Sequence, residues 1–506
     1  MTKRQFTCRA LLVLMALNTL LVFPARALDQ EVILQRLNAL EQNQRDLEQQ
    51  LAERDARIME LEQRLGVPPT ATGQLHSVPV TPQAGAPHPG SGSSASDVTL
   101  AQAADEPAIG RFNQGGGGYT IAETPYGKLN FSAWTYIRYL NQKGLDDSYT
   151  DSFGREFEID HRNDFQVNKV NLTFNGWLYD PDFRWLLYTW TSNTSQGESA
   201  QVVVAGNLKY RFNDALDVGF GIDALPGTRS TSGTFPHFLK VDYRTMADDF
   251  FRPSYTTGMW TAGKLGEGID YKLMVGNNLS QLGVNASRLD DGLNTWSGRL
   301  DWMPTTGEFG PGKGFDDFSM HSELATLFGI AGTYSEETRQ SQPGTEDINN
   351  SQIRLSDGTR IFEPGAFNTD GRINEATYQM LALDAGMKYQ GFSLTGEYYW
   401  RWVDDLKTEG DIPVEDLYDH GFQIQTSYMF VPKSLQGYVA GSKIFGEYGN
   451  PWDTAVGVNW YPFNHRLVRV NGELLYMKDS AIGYSSIPYQ VGGDGVAFHT
   501  NLEMKF

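Results

Sequence analysis

The stretch GVAFHTNLEMKF, residues 495–506, decides the fold. Its side chains take turns: Val496, Phe498, Thr500, Leu502, Met504 and Phe506 fall on one side, while Ala497, His499, Glu503 and Lys505 fall on the other. A period of two with one apolar and one mostly polar set is the mark of a β-strand that separates an apolar medium from water. The question is whether the rest of the chain repeats it.

It does from Lys128 onward. KLNFSAWTYIRYL sets Leu129, Phe131, Ala133, Thr135, Ile137 and Tyr139 against Asn130, Ser132 and Arg138, and the next run sets Val170, Leu172 and Phe174 against Lys169, Asn171, Thr173 and Asn175. About sixteen such strands are predicted, an even number as a barrel of this kind requires, starting near residues 128, 164, 183, 201, 216, 255, 269, 295, 317, 378, 392, 419, 435, 451, 466 and 493. Their connections alternate long and short. NQKGLDDSYTDSFGREFEIDHRN is followed by DPD, the stretch near 228–254 by GEG and the stretch near 338–377 by QG, with PKS and FNH later. One short-side turn, TTGEFGPGKGF, is longer than this pattern predicts. Short turns on one rim, long loops on the other and about ten residues per crossing predict an all-β fold, a transmembrane antiparallel β-barrel of the outer membrane. The stretch 495–506 is then the closing strand, with Phe506 as an assembly signal resembling the terminal aromatic of bacterial outer-membrane proteins. A soluble sandwich or propeller is disfavoured by the lack of a propeller-length repeat and by strand-end aromatics suited to interfacial girdles, Trp177, Tyr179, Trp400, Trp402, Trp460 and Tyr461.

The remaining segments complete an envelope protein. Lys3, Arg4 and Arg9, the apolar run ALLVLMALNTLLVF and ARA ending at Ala27 predict a cleaved signal peptide over 1–27. Ile33, Leu37, Leu40, Leu47, Leu51, Ile58, Leu61 and Leu65 fall at heptad spacing, which predicts a periplasmic α-helical coiled coil over 28–66. Gly66 and the prolines after it stop that helix. A linker rich in Pro, Gly and Ser follows over 67–118, and the barrel occupies 119–506. The one cysteine, Cys8, lies inside the signal peptide, so the mature chain is expected to have no disulfide and no thiol chemistry. With 41 Lys and Arg against 61 Asp and Glu, a formal charge of −20, the chain is a poor partner for nucleic acid.

The stretch MADDFFRPSYTTGMW, residues 246–260, together with the strand and turn layout, resembles the phosphate-selective porins of Gram-negative outer membranes, of the O and P type, over roughly residues 120–506. The resemblance implies a trimeric channel whose third long loop folds inward and narrows the pore. Here that loop runs from about Thr228 to Ser254 and carries Lys240, Asp242, Tyr243, Arg244, Asp248, Asp249 and Arg252. Anion binding in that family depends on a ladder of arginines and a cluster of lysines, whereas this loop mixes both signs.

Placing each strand's apolar set outward turns Arg138, Lys169, Arg184, Lys209, Arg211, Lys272, Arg299, Lys388, Arg401, Arg469 and Lys505 inward, with Asp301, Glu323, Asp384, Glu397, Glu473 and Glu503. That wall leans basic, and charges in a confined aqueous passage set ion selectivity, so a mild anion preference is expected. Catalytic motifs are missing: there is no H-E-x-x-H, no G-x-S-x-G and no P-loop. His499 with Glu503, and His321 with Glu323, could pair as acid and base, but pore lining is the simpler role. Tyr399 and Trp134 could stack on sugars. The expected function is therefore passive diffusion of small hydrophilic solutes, small anions among them, through a homotrimer in outer-membrane lipid, without cofactor or metal. The alternatives are a sugar-preferring porin, and an envelope anchor whose coiled coil contacts peptidoglycan.

Overall fold

The computed structural model describes residues 110–112, 118–192, 201–234, 237–281, 292–309, 313–341, 352–483 and 487–506. The expected signal peptide, the coiled coil and nearly all of the linker lie outside the described residues.

Sixteen antiparallel strands among the described residues form a closed wall. They are Gly127–Leu145, Asn163–Leu178, Asp180–Ser192, Gln201–Asn213, Leu216–Ala224, Tyr255–Gly266, Ile269–Gly276 and Thr295–Trp302, then Ala325–Thr338, Arg372–Tyr389, Phe392–Glu409, Leu417–Val431, Leu435–Phe445, Trp452–Trp460, Val468–Lys478 and Gly495–Lys505. Each pairs with the next along the chain. Gly495–Lys505 then returns to the first strand, from Gly495 opposite Leu145 to Lys505 opposite Trp134. Phe506 extends the seam: its N–H donates to the Ala133 carbonyl at 2.8 Å, and its carbonyl accepts from the Ala133 N–H at 2.5 Å. Below that point Tyr119–Thr124 takes over the edge of the first strand, pairing with Gly127–Phe131. Closure leaves no unpaired strand edge to face hydrocarbon, which a membrane does not tolerate.

The alternation read from the sequence becomes the two faces of the wall. Phe165, Val202 and Val456 are 74%, 62% and 58% exposed on the outside, whereas the opposite parity carries buried Arg138, Gln166, Asn459 and Asn501. Trp400, Trp402, Trp460 and Tyr179 lie on the outer surface, but Tyr461 turns inward and is buried.

Three connections fold into the barrel through their described residues: 225–234 and 237–254, with the short helix Met246–Phe251; 303–309 and 313–324 on the short-turn rim; and 352–371 on the long-loop rim. Ile353, Leu355, Ile361, Phe362 and Phe367 of the last pack with the helix residues Phe250 and Phe251 and with Tyr399 of the wall in one apolar cluster. Two strand starts differ from expectation. The strand expected near 317 begins at Ala325, and the one expected near 378 begins at Arg372. The alternation of Phe318 and Met320 imitates a strand, yet these side chains pack on Met429 and Tyr461, while Asp317 accepts the N–H groups of His321 and Gly391 and bends the chain out of the sheet.

Candidate functional site

All seven loop residues singled out in the sequence lie in the inward segment 225–254, and each is engaged. The Lys240 ammonium stands 3.7 Å from Asp453 and 3.6 Å from Glu473, and 4.6 Å from the centre of the Tyr243 ring. The Tyr243 hydroxyl donates to Glu473 and lies 2.8 Å from His499 Nε2. Asp242, with a left-handed φ of 55°, accepts from the Tyr136 hydroxyl at 2.9 Å and pairs with Lys169 at 2.5 Å. Arg244 donates to Ser230 at 2.9 Å, Asp248 accepts from the same hydroxyl at 2.8 Å, and Arg252 pairs with Asp249 at 2.7 Å. Burial pushes the Asp248 carboxyl above its usual range, although Arg244 pulls the other way. The helix is held end-on: Thr245 donates to Gln423, and Ser442 accepts from the Ala247 N–H, both at 2.9 Å.

The inward cations of the wall divide into two groups. Arg138, Arg299, Lys388, Arg401 and Arg469 are all at most 4% exposed. Arg138 donates to Asn501 at 2.8 Å and to the Val241 carbonyl of the loop at 2.7 Å. Arg299 is clamped by Asp301 at 2.5 Å and Asp384 at 2.6 Å. Arg401 pairs with Asp419 at 2.6 Å, donates to the Arg354 carbonyl at 2.7 Å and is covered by the Phe250 ring at 4.1 Å. Arg469 pairs with Glu503 at 2.5 Å and donates to the Phe238 carbonyl at 2.7 Å. Arg138, Arg401 and Arg469 thus spend their charge on holding loop to wall, whereas Arg299 joins one wall strand to another.

On strands 201–276 the cations keep contact with water, whereas Lys169 on strand 163–178 is tied to the loop through Asp242. Lys209 and Arg211 share Asp217 at 3.0 and 3.4 Å, and their side chains are 32% and 38% exposed. Lys272 pairs with Asp223 at 2.9 Å and is 21% exposed. Lys169 lies between the Trp134 and Trp190 rings, at 5.6 and 4.8 Å. Arg184 and Lys505 are half-buried near the short-turn rim.

Some expectations change. Glu323 is off the wall, exposed in the segment 303–324. His321 pairs with Asp317 and, at 3.0 Å, with Glu308 rather than with Glu323. His499 bonds Tyr243 and Asn501, while Glu503 is taken by Arg469 and by the Trp134 indole N–H at 2.7 Å, so neither histidine forms its expected acid–base pair. Tyr399 is stacked on Phe251 at 5.1 Å and donates to Glu397, which leaves no free face for a sugar. Among the described residues no group of three His, Cys, Asp or Glu could hold a metal. Sequence reasoning missed Arg229, Asp316 and Arg466, whose only advance signal was the unusual length of the turn 303–324.

No family model matches the chain, and no curated protein matches it. Solved structures do. An anion-selective porin from Comamonas acidovorans superposes with a TM-score of 0.48 at 10% identity, over 75% of this chain and 100% of that one. The outer membrane channel DcaP of Acinetobacter baumannii gives 0.47 at 10%, over 79% and 100%. The trimer form of OmpT, an outer membrane protein of Vibrio cholerae, gives 0.46 at 11%, over 75% and 100%. The likeness is one of fold, and the barrel stands on its own ladder of paired strands.

Proposed function

We propose that this chain is an outer-membrane porin, a water-filled channel for passive diffusion of small hydrophilic solutes with a mild anion preference. The observation that carries the reading is the water-accessible stripe of Lys209, Arg211 and Lys272 inside a closed barrel whose outside is apolar. Each of these cations has a carboxylate beside it, Asp217 or Asp223, so the field in the passage is nearly balanced and the preference modest. Strong phosphate specificity is not proposed, because the buried arginines that would form a ladder are neutralised or bound to carbonyls. Nothing in this reading needs covalent chemistry. The homotrimer, the cleaved signal peptide of 1–27, the periplasmic coiled coil of 28–66, the linker and the assembly role of Phe506 belong to the same proposal.

A second reading, an envelope anchor, is favoured by one observation: three segments fill the inner side next to strands 372–505. Planar-bilayer conductance decides between them. Discrete current steps with a reversal potential on the anion side in a salt gradient are expected; a folded barrel that passes no current would favour the anchor.

A further inference from the structure

We infer that the long turn 303–324 props the inward loop from below and so sets the width of the passage. The inference rests on the channel reading above. Short turns face the periplasm in barrels of this kind, and the other turns on that rim span only a few residues, whereas this one enters the barrel.

Its base is anchored to the wall by charged groups. The Lys388 ammonium donates to the carbonyls of Glu308, Lys313 and Gly314 at 3.2, 3.3 and 3.0 Å, which uses all three of its protons on backbone that forms no ladder. Asp316 pairs with Arg466 at 2.5 Å and accepts from Gln436 at 3.2 Å. Burial pushes the Asp316 carboxyl up, yet Arg466 and Lys388 together help hold the group below the usual carboxylate range. Asp317 accepts the Gly391 N–H at 2.7 Å.

On this base the loop rests at two points. The Arg229 guanidinium lies over the Phe309 and Phe315 rings, at 4.9 and 5.1 Å, and reaches the Gly314 carbonyl at 3.5 Å. Eight residues on, the His237 carbonyl accepts the Phe315 N–H at 3.4 Å, and the Phe238 ring stands 6.2 Å from that of Phe315. Phe315, 2% exposed, is thus the seat beneath both points. A packed seat of this kind has no intermediate position: removing the ring leaves a void that the loop can fill only by moving.

The test uses the full chain, with Phe315→Ala, the milder Phe315→Leu, and Lys388→Met. Folding is checked by heat-modifiable migration. All three are expected to raise single-channel conductance, by about 1.5-fold for the Ala variant, and to raise open-channel noise, with faster hydrogen exchange over 237–244. Folded Phe315 variants with parental conductance, noise and exchange would overturn the inference. So would a Lys388→Met variant that moves only the reversal potential, because Lys388 would then act as a pore charge and not as an anchor. If the parent passes no current, the channel reading fails on its own, and exchange over 237–244 still decides whether the turn holds the loop. If the Ala variant does not fold, the Leu variant carries the test.

Discussion

The two sides of the inner wall use the same residue types at the same parity and reach opposite outcomes. Next to strands 372–505 and the first strand, Arg138, Lys388, Arg401 and Arg469 are sealed under loop backbone and aromatic rings. Across strands 201–276, Lys209, Arg211 and Lys272 remain partly in water. The difference teaches that an inward charge acts on passing ions only where nothing covers it. Where a segment lands on it, the same charge becomes a fastener, since an arginine that bonds a loop carbonyl in a water-poor site is no longer available to solute.

The largest effect should come from breaking a fastener. Arg401→Met strands the buried Asp419 carboxylate without its partner, at a cost of about 3–5 kcal/mol; denaturant unfolding of the detergent-solubilised barrel should show that loss. Unchanged stability with a shifted reversal potential would place Arg401 among the open charges and erase the division between the two sides.

An intermediate effect concerns pH. Burial first, and Arg466 second, push the His237 imidazole down to about 3. Its ordinary value is about 6.5, so between those values a detached loop takes up a proton that the docked loop refuses. Docking is therefore fully present above that window and weakens as pH falls through it. Channel noise should grow on acidification from neutral pH, and His237→Asn should flatten the response. A response equally steep in that variant would move the titrating group elsewhere.

The smallest stability effect belongs to the open side. Lys209→Ala with Arg211→Ala removes partly exposed pairs worth at most about 1 kcal/mol. Stability should barely move, while the reversal potential shifts toward cations because Asp217 is left uncompensated. A large loss of stability without that shift would show that this side, too, is a fastening surface.

Much of the wall was legible in the sequence. Most strand starts fall within a few residues of where the alternation puts them, and Leu129 to Tyr139 and Val496 to Met504 keep their parity to the seam, apart from bulges near Tyr136 and Val496. Periodicity misplaces a strand onto Phe318 and Met320 because these residues also alternate, and local periodicity cannot distinguish a ladder partner from a packing partner. Tyr461 is misplaced for the same reason: an aromatic at a strand end suits a girdle or a core, and Phe318 at 4.9 Å decides for the core.

The sequence by itself determined the barrel, a strand number of about sixteen and the face of most wall residues, because a strand between lipid and water must alternate at every step and its errors are local. Only the tertiary structure decided which inward charges are fastened and which are free. Those choices join residues far apart in the chain: Arg138 to Val241, Arg229 to Gly314, Tyr243 to Glu473 and Lys388 to Glu308. No periodicity encodes such contacts, since they depend on where three inward segments come to rest once the sheet has closed.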